Sequence, residues 1–455
     1  MSSEAVSSLT VLLGCIKTQK DCPQAQKQAL VALAHLCMEN GEACERLEDK
    51  GGLMSILHLA VFTKHLEVQQ AALYTLSCAA QINRACQSKL CIPQVFAFLQ
   101  SKLSDQHSLP EVKRTAAFLA NCLASNNREG QRLARERQCM VTMIQLFLSS
   151  LPLTYATNTS GQSQLDGPQD QAFELWTAVT NGLAACVNNP QNEENQYLCS
   201  GTFAPVVKLL TDGCISQAVR PICYYLGMVI SNNKRTQKRW MLAGGLQALM
   251  TVLQRMVEQA QDYPASMPLA VQVAVTLDSC VANNARGLQL IHQLKAVPLM
   301  VQLLSLNLQD SQLQLQVLLT ILHLTEMNKD IQQQLVSAGG LSVVLHSMAR
   351  NQSAEYNKAA TYLLKTCVHL DEMSVCSLLI EEEIMSRRAA AAEQNKNPDY
   401  SKCPGCSRQL HHPQLDSHTY NRVVHSSPHT CPMHKHILDM ETDYVRRVKA
   451  KRNAD

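Results

Sequence analysis

Aromatic residues are scarce in this chain of 455 residues, because Phe, Tyr and Trp together make up only 4% of it. Charged residues are also few, at 17%, and the formal net charge is +3. Such a small net charge gives no indication of a nucleic-acid-binding surface. The apolar fraction of 46% is therefore mostly aliphatic, which favours helices that pack through Leu, Ala and Val side chains.

Long apolar runs are absent too. No stretch reaches the ~18 consecutive apolar residues of a membrane-spanning helix, so we expect no transmembrane segment. The opening sequence MSSEAVSSLT lacks the basic region and apolar core of a signal peptide. Most of the 19 cysteines lie singly along apolar stretches, where cysteine acts as a small buried hydrophobic residue. These features predict reduced thiols in a cytosolic or nuclear protein.

Catalytic motifs are missing as well. The sequence has no Gly-rich phosphate loop, no nucleophile elbow and no His-Glu metalloprotease motif. We therefore expect a non-enzymatic protein without a small-molecule substrate. The chain is longer than a single hydrophobic core of ~250–300 residues supports, so it either divides into domains or stacks repeats.

An internal repeat is the main feature that the sequence does contain. An apolar helix leads into an Asn-containing turn and a short amphipathic stretch, and then a Gly-Gly pair or a Pro opens another apolar helix. One copy reads ALVALAHLCMENGEACERLEDKGGLMSILHL. Most intervals between turns match the ~40–47-residue period of armadillo and HEAT arrays. The asparagines that set the register are Asn40, Asn83, Asn127, Asn189, Asn233, Asn284 and Asn328.

This pattern resembles armadillo repeats and predicts an all-α, armadillo-type α-solenoid of about seven repeats over residues 5–380. Two intervals are longer than the rest. The first contains a segment rich in Ser, Thr, Gly, Pro and Gln, which predicts an insertion loop at residues 149–171. In the second, Pro264 and Pro268 interrupt the helical pattern. We expect the turn asparagines to tolerate the left-handed conformation that ends a helix and to hydrogen-bond within their own turn.

Stacked repeats form a concave groove, and we expect this groove to bind protein partners. In importin-like armadillo proteins, an Asn in the third helix of most repeats clamps an extended peptide. Here Asn121 and Asn181 hold that position, and two asparagines are too few for a continuous ladder, which favours a folded or helical partner. An equally simple interpretation is that both amides only satisfy local backbone groups. The other repeats place different residues there: His35, Cys78, Gly227, Asp278 and His323.

Two of the turns are basic. One spans residues 126–137, and the other carries four cationic side chains within six residues. The second turn is a candidate for binding phosphate or an acidic partner, although charged turns are more often simply solvated. Its four candidate residues are Lys234, Arg235, Lys238 and Arg239.

A Cys/His cluster follows the repeats, in residues 403–436. Cys403-x-x-Cys406 and Cys431-x-x-His434 each place two side chains in one short turn, where both can reach the same ion. Three thiolates and one imidazole form a typical closed, structural zinc site. We therefore predict a zinc-stabilised C-terminal module with these four ligands.

Two alternatives remain open for this module. His418 or His429 could replace one of the four ligands, and the clusters could also be a coincidence in a polar tail. Residues 381–402 are expected to end a helix and form a linker, and residues 437–455 to form a basic C-terminal helix or tail.

Residues 417–444 read SHTYNRVVHSSPHTCPMHKHILDMETDY. Together with the preceding repeats, they resemble the meiotic telomere bouquet-formation family, the armadillo-repeat subunit of the complex that attaches telomeres to the inner nuclear membrane. The resemblance implies a nuclear scaffold at telomeric chromosome ends. Its implied partners are telomere-binding, nuclear-envelope or cohesin-type proteins.

Members of that family are longer and carry a Myb-like DNA-binding domain. The spaced tryptophans of such a domain are absent, because the only two, Trp176 and Trp240, lie among the repeats. We therefore expect an N-terminal portion or short form without direct DNA binding. The alternative is a generic armadillo adaptor, cytosolic or nuclear, whose zinc knuckle acts in ubiquitin transfer.

Overall fold

The computed structural model describes residues 3–19, 21–151, 167–306, 310–326, 328–350 and 353–367. Within these ranges all regular secondary structure is helical. The chain forms two compact units. The first comprises Met1–Leu253 and Ser279–Gly287, and the second comprises Gln254–Asp278 and Leu288–Asp455.

The helices follow one recurring order, in which a long helix is followed by a short helix of seven to nine residues and then by a third helix. The first part of the array contains α1 (Ser3–Thr18), α2 (Pro23–Glu39), α3 (Gly41–Asp49), α4 (Gly52–Phe62), α5 (Leu66–Ile82), α6 (Arg84–Leu90), α7 (Pro93–Ser104), α8 (Pro110–Ala124), α9 (Arg128–Glu136), α10 (Cys139–Ser149), α11 (Gly167–Val187) and α12 (Glu193–Cys199).

The same order continues beyond α12. The remaining helices are a 3-10 turn (Ser200–Thr202), α13 (Phe203–Asp212), α14 (Ser216–Ile230), α15 (Lys234–Leu242), α16 (Gly245–Asp262), a second 3-10 turn (Pro264–Ser266), α17 (Met267–Val281), α18 (Ala285–Gln293), α19 (Ala296–Ser305), α20 (Ser311–Thr325), α21 (Lys329–Ser337), α22 (Gly340–Arg350) and α23 (Ala354–Cys367). This order confirms the predicted all-α, armadillo-type repeats.

In the first unit the long helices α2, α5, α8, α11 and α14 pack successively against one another. We call the surface that they form the long-helix face. Small side chains such as Ala72, Ala79, Ala116 and Ala120 are buried between them, so the helices approach closely. Alanine also has the highest helix propensity. In the second unit α19 packs on α22, and α20 packs on α23.

One of the two roles expected for the turn asparagines, hydrogen bonding within their own turn, is confirmed, whereas the left-handed conformation is found at only one of the seven. Six of the seven cap the following short helix: Asn83, for example, has φ −125° and its Oδ1 accepts hydrogen bonds from the amides of Ala85 and Cys86. An Asn at this position satisfies amides that have no partner within the helix. The left-handed conformation falls instead on the preceding residue in three repeats, at Asn126, Asn232 and Asn283.

The register at Asn189 is wrong by three residues. Asn189 does adopt the left-handed conformation, with φ 57°, but it caps no helix. Asn192 is the cap of α12, since its Oδ1 accepts from the Asn195 amide at 3.2 Å. The interval between Asn127 and the next capping asparagine, Asn192, is therefore longer than predicted.

A buried glutamine lies four residues after the cap in several repeats and connects one repeat to the next. Gln131 donates from Nε2 to the carbonyl oxygens of Ala185, Asn188 and Pro190, at the end of α11. Its Oε1 accepts from Nδ2 of Asn192, the cap of the next short helix, at 3.5 Å. We call this arrangement the Gln–Asn ladder. It recurs in the pairs Gln196–Asn233 and Gln237–Asn284.

The Gly pairs and prolines behave as predicted. Gly51, Gly244 and Gly339 have φ of 65°, 80° and 70°, a left-handed conformation that favours glycine. The second glycine of each pair allows close packing: a Cβ on Gly245 would lie 2.0 Å from the ring of Trp240. Gln138 and Lys295 adopt the same conformation in repeats without the Gly pair. Prolines lie in the first turn of the corresponding helices, at Pro93, Pro205 and Pro298.

The predicted loop at 149–171 overlaps a helix at its end, because α11 already begins at Gly167. Residues 152–166 lie outside the described residues. The interruption predicted at Pro264 is present, since α16 ends at Asp262 and α17 begins at Met267. The stretch Pro264–Val281 is long and apolar enough by composition to cross a membrane, but half of it is buried inside the protein, as in a core helix.

The cysteines of the described residues form no disulfide with one another, and most are buried. The six that the sequence placed on apolar helical faces are all in the core. Burial raises the pKa of the Cys122 thiol to about 12, so the thiol stays protonated at neutral pH. These six cysteines are Cys37, Cys78, Cys122, Cys186, Cys223 and Cys280.

Candidate functional site

The two asparagines predicted for the groove meet at one cavity on the long-helix face. Asn121 on α8 and Asn181 on α11 both line a cavity of about 510 Å³. Three half-buried aromatic residues line it with them: Tyr74 on α5, Phe118 on α8 and Phe173 on α11. We call these five residues the aromatic–amide groove.

The helical periodicity explains why these side chains share one surface. Phe118 and Asn121 are three residues apart on α8 and therefore lie on the same side of that helix. Thr177 and Asn181 are four residues apart on α11 and line the same cavity. Neighbouring long helices thus bring together residues that are distant in the sequence.

The two amides are not equivalent. Asn121 accepts a hydrogen bond at its Oδ1 from the hydroxyl of Ser125, at 3.1 Å, so its carbonyl is partly used by its own helix. The side chain of Asn181 has no hydrogen bond within the described residues and is partly exposed to solvent. An amide of this kind can donate to, and accept from, a bound chain. The purely local interpretation therefore fits Asn121 better than Asn181.

The aromatic rings give the groove its apolar character. The rings of Tyr74 and Phe118 are stacked with centroids 6.3 Å apart, and Phe173 stacks on the buried Trp176 at 5.8 Å. The neighbouring Cys78 thiol, followed by burial, raises the pKa of the Tyr74 hydroxyl, which keeps this hydroxyl protonated as a donor. Half-buried aromatic side chains of this kind are typical anchors of protein–protein interfaces.

A second cavity extends the groove towards the turns. It measures about 880 Å³ and shares Phe118 and Asn121 with the first. Ile82, which is 42% exposed, and Pro190 add apolar surface to it. On the other side, an ion pair between Arg114 and Glu174 links α8 and α11 at the edge of the first cavity. The whole surface suits a partner that inserts an apolar side chain and bonds an amide.

The other residues at the positions equivalent to Asn121 and Asn181 differ in type and in environment. His35 is exposed, whereas Cys78 is fully buried and cannot contact a ligand in the groove. In the second unit, Asp278 on α17 and His323 on α20 pair with each other, with Oδ2 and Nδ1 2.9 Å apart. Burial raises the pKa of Asp278 above its ordinary value, and the hydrogen bond from His323 partly opposes this. These positions therefore do not extend the two asparagines of the groove into a row of amides.

In the first basic turn, two of the four arginines are paired with glutamates. Arg132 pairs with Glu129 and with Glu136, at 2.5 and 2.6 Å. The hydrogen bond from Arg132 lowers the pKa of Glu129. Arg135 pairs with Glu194 on α12 at 2.7 Å. These arginines therefore serve the packing of α9 and α12 and are poor candidates for binding a partner.

The second basic turn differs, because its four cations on α15 are all exposed and have no carboxylate within 4.0 Å among the described residues. The guanidinium groups of Arg235 and Arg239 lie over the ring of Tyr197, at 4.3 and 4.8 Å from its centroid. Lys234 and Lys238 flank them on the same helix. This cluster is separate from the aromatic–amide groove.

The predicted zinc ligands and the extra histidines lie outside the described residues, so the zinc site stays a prediction. Within the part of the chain that the structure describes, no group of His, Cys, Asp or Glu side chains is arranged to hold a metal ion.

The sequence pointed to Asn121, Asn181 and the basic turn but not to the aromatic residues beside them. Tyr74, Phe118 and Phe173 look like ordinary apolar positions of their helices, and only their partial exposure marks them. The sequence could have marked them, because each lies on a long helix within eight residues of the position that corresponds to the groove asparagines. Nothing in the sequence marked Tyr197, because the two arginines that contact it lie on the following short helix, α15.

Comparison with curated proteins identifies relatives of this chain. It is 33% identical over 377 residues to the telomere repeats-binding bouquet formation protein 1 of Homo sapiens, covering 83% of the chain and 51% of the relative. The Mus musculus protein of the same name is 33% identical over 367 residues, with coverages of 80% and 47%. The Danio rerio protein is 32% identical over 368 residues, with coverages of 80% and 44%. The chain spans about half the length of the curated relatives it matches.

One solved structure supports the fold. An engineered protein superposes with a TM-score of 0.60 at 17% identity, covering 83% of this chain and 82% of the other. A designed armadillo repeat protein, also 17% identical, covers 60% of this chain and 99% of its own with a TM-score of 0.45. No protein-family model matches the chain.

Proposed function

This chain is a homologue of telomere repeats-binding bouquet formation protein 1 over about four-fifths of its length, and we propose from this that it acts at telomeres in meiotic prophase. Its role there is that of a non-enzymatic scaffold. It helps attach telomeres to the inner nuclear membrane and thereby supports chromosome movement and homologue pairing. Its location is the nucleus, at telomeric chromosome ends.

The aromatic–amide groove is the observation that carries the scaffold role. It combines two adjoining cavities with half-buried rings and an amide that has no partner within the described residues. Phe118 and Asn121 line both cavities, so they lie at the centre of the surface. Central, well-packed anchors contribute most of the binding energy of protein interfaces. The proposed occupants are telomere-binding, nuclear-envelope or cohesin-type proteins.

A zinc-stabilised module at residues 403–436 forms part of the proposal. Its support is the spacing of Cys403, Cys406, Cys431 and His434 and the preference of zinc for these ligand types. Zinc in such a closed site is structural and contributes to folding. The module would supply a second, independently folded contact surface.

Affinity purification from meiotic germ-cell nuclear extract tests the proposed function. The bait is the full chain, compared with a groove variant, Phe118→Ala/Asn181→Ala. The matched control is Phe98→Ala/Gln94→Ala, which truncates a half-buried Phe and an exposed amide on α7, outside both cavities. Circular dichroism establishes that both variants are folded.

The proposal requires that telomere, nuclear-envelope or cohesin proteins be recovered by the wild type and the control, and be lost with the groove variant. If only cytoplasmic or ubiquitin-pathway proteins are recovered, the meiotic role is wrong. If meiotic proteins are recovered equally by all three baits, the role stands but the groove is not the binding surface.

A further inference from the structure

Two arginines of α15 are held side by side on one exposed tyrosine. The guanidinium groups of Arg235 and Arg239 lie 4.3 and 4.8 Å from the ring centroid of Tyr197, and this tyrosine is 42% exposed. Cations are attracted to the face of an aromatic ring within about 6 Å. The ring therefore fixes two positive groups next to each other at the surface. We call Tyr197, Lys234, Arg235, Lys238 and Arg239 the basic cluster.

The charges of the basic cluster are not compensated by nearby acids. No described carboxylate lies within 4.0 Å of any of its cations, whereas Arg132 and Arg135 of the first basic turn are paired with glutamates. In addition, Lys234 and Lys238, like Arg235 and Arg239, are four residues apart on one helix. Like charges at this spacing destabilise a helix. The cluster thus concentrates like charges that no described acid compensates.

The helix dipole makes this arrangement less favourable still. The N-terminal end of a helix carries partial positive charge, which favours acidic residues in the first turn. The equivalent helices α3, α9, α12 and α21 do have acids there: Glu42, Glu129, Glu193 with Glu194, and Asp330. In α15 the first turn carries Lys234 and Arg235 and no acid. The short helices α6 and α18 also lack an acid there but carry one cation each, Arg84 and Arg286, so α15 has the most positive first turn among the short helices described.

From these observations we infer that the basic cluster binds an acidic segment of a protein partner. Each of the two guanidinium groups presents parallel N–H donors that match the two oxygens of a carboxylate. Lys234 and Lys238 bind neighbouring carboxylates. A chain that carries carboxylates also offsets the repulsion among the lysines and arginines of α15, and its negative charge complements the partial positive charge at the N-terminal end of that helix. This inference goes beyond the proposed function, because it concerns a different surface from the aromatic–amide groove.

A protein segment fits the cluster better than nucleic acid does. The cations occupy two turns of a single short helix, whereas the backbone of a duplex requires a longer positive stripe. The chain as a whole carries a net charge of only +3.

Fluorescence anisotropy with the full chain tests the inference. The probe is a labelled octaglutamate peptide, with octaglutamine as the neutral peptide and a 16-base-pair duplex as the nucleic acid. The cluster variant is Arg235→Gln/Arg239→Gln. The matched control is Lys50→Gln/Arg128→Gln, which removes two exposed cations without an ion pair, one directly after α3 and one at the start of α9. Thermal unfolding verifies that all variants are folded.

We expect octaglutamate to bind the wild type and the control alike, while the cluster variant loses about tenfold in affinity, since two charge-assisted contacts are removed. Octaglutamine should not bind, and added salt should weaken the binding of octaglutamate. The stacking is tested separately. Tyr197→Phe should retain the affinity because a phenyl ring still attracts both guanidinium groups, and Tyr197→Ala should lose most of it.

Equal losses in the cluster variant and the control would show a non-specific charge effect and overturn the inference. Absence of octaglutamate binding at 150 mM salt would overturn it too. If the duplex binds more tightly than the peptide and this binding is lost in the cluster variant, the surface is for nucleic acid and the inference is wrong. None of these results depends on the groove, so they leave the proposed function untouched.

Discussion

The side-chain amide of Asn233 donates from Nδ2 to Oε1 of Gln196 at 3.0 Å, and both residues are buried. Gln196 in turn donates from Nε2 to the carbonyl oxygens of Met228 and Ser231, at 2.9 and 3.0 Å. One glutamine thus satisfies the end of the long helix α14 and holds the cap of the short helix α15. This is the middle pair of the Gln–Asn ladder.

Replacing this glutamine should destabilise the first unit. Gln196→Leu keeps the volume of the side chain but removes the partner of two partly buried carbonyl groups and of the buried Asn233 amide. We expect a loss of about 2 kcal/mol in the free energy of unfolding, since unsatisfied buried polar groups cost about 1–3 kcal/mol. Urea unfolding followed by circular dichroism measures it. Gln94→Leu, at an exposed position, is the control, and an equal effect of both substitutions would contradict the ladder's role.

Two glycine substitutions should have opposite effects. A Cβ on Gly245 would lie 2.0 Å from the Trp240 ring, so Gly245→Ala forces the ring to move and should lower stability by about 1–3 kcal/mol. A Cβ on Gly227, in the helix α14, meets nothing within 4 Å. Gly227→Ala should therefore raise stability by up to about 1 kcal/mol. Thermal unfolding compares them, and a change of the same sign in both would refute the packing argument.

The stability of the second unit should depend on the ionisation of Asp278. Burial raises the pKa of this carboxyl, so the folded protein binds its proton more tightly than the unfolded chain does. Ionisation therefore costs stability at neutral pH, and this cost disappears as the pH falls below the ordinary range of aspartate. Asp278→Asn retains an acceptor for His323 and should melt at a higher temperature than wild type at pH 7.5.

The measurement for Asp278→Asn is a series of melting curves from pH 7.5 into the acid range. The difference in Tm from wild type should shrink as the pH is lowered. A lower Tm of the variant at pH 7.5 would mean that the hydrogen bond with His323 outweighs the cost of burial. His323→Gln separates the two contributions, because it removes the imidazole and leaves the carboxyl buried.

Metal analysis should find one zinc ion per chain. Inductively coupled plasma mass spectrometry of the purified chain measures it, and Cys403→Ser/Cys406→Ser should lose the metal, because zinc in such a site is bound by thiolates. Cys22→Ser, which removes an exposed cysteine of the solenoid, is the control. His418→Ala and His429→Ala decide between the alternative ligands. Zinc retained by the double variant would contradict the predicted site.

The order of the helices, and many of the residues at which they begin and end, could be predicted from the sequence. Glycines at positive φ and prolines in the first helical turn have local causes, so positions such as Gly51 and Pro93 were predictable. The function of the asparagines was not, because capping and helix ending favour the same residue type. The spacing Asn-x-x-x-Gln would have identified Asn192 rather than Asn189, since Gln196 follows it by four residues.

The candidate site was only partly predictable for a different reason. Asn121 and Asn181 could be placed on one surface because the repeat fixes their position. The exposure of Tyr74, Phe118 and Phe173 depends on how three long helices approach one another, and no local pattern encodes that distance. The same applies to the contact between Tyr197 and the arginines of α15, which joins two repeats.

The Gln–Asn ladder also determines how the first unit comes apart. When one repeat opens, its glutamine no longer donates hydrogen bonds to the carbonyl groups at the end of the neighbouring long helix. That helix therefore loses hydrogen bonds before it has itself moved. In a stacked array this strengthens nearest-neighbour coupling, and adjacent repeats then open together as one cooperative block. Amide hydrogen exchange of α12 and α15 should therefore slow when a ligand holds α11 and α14 in place, although that ligand touches neither short helix.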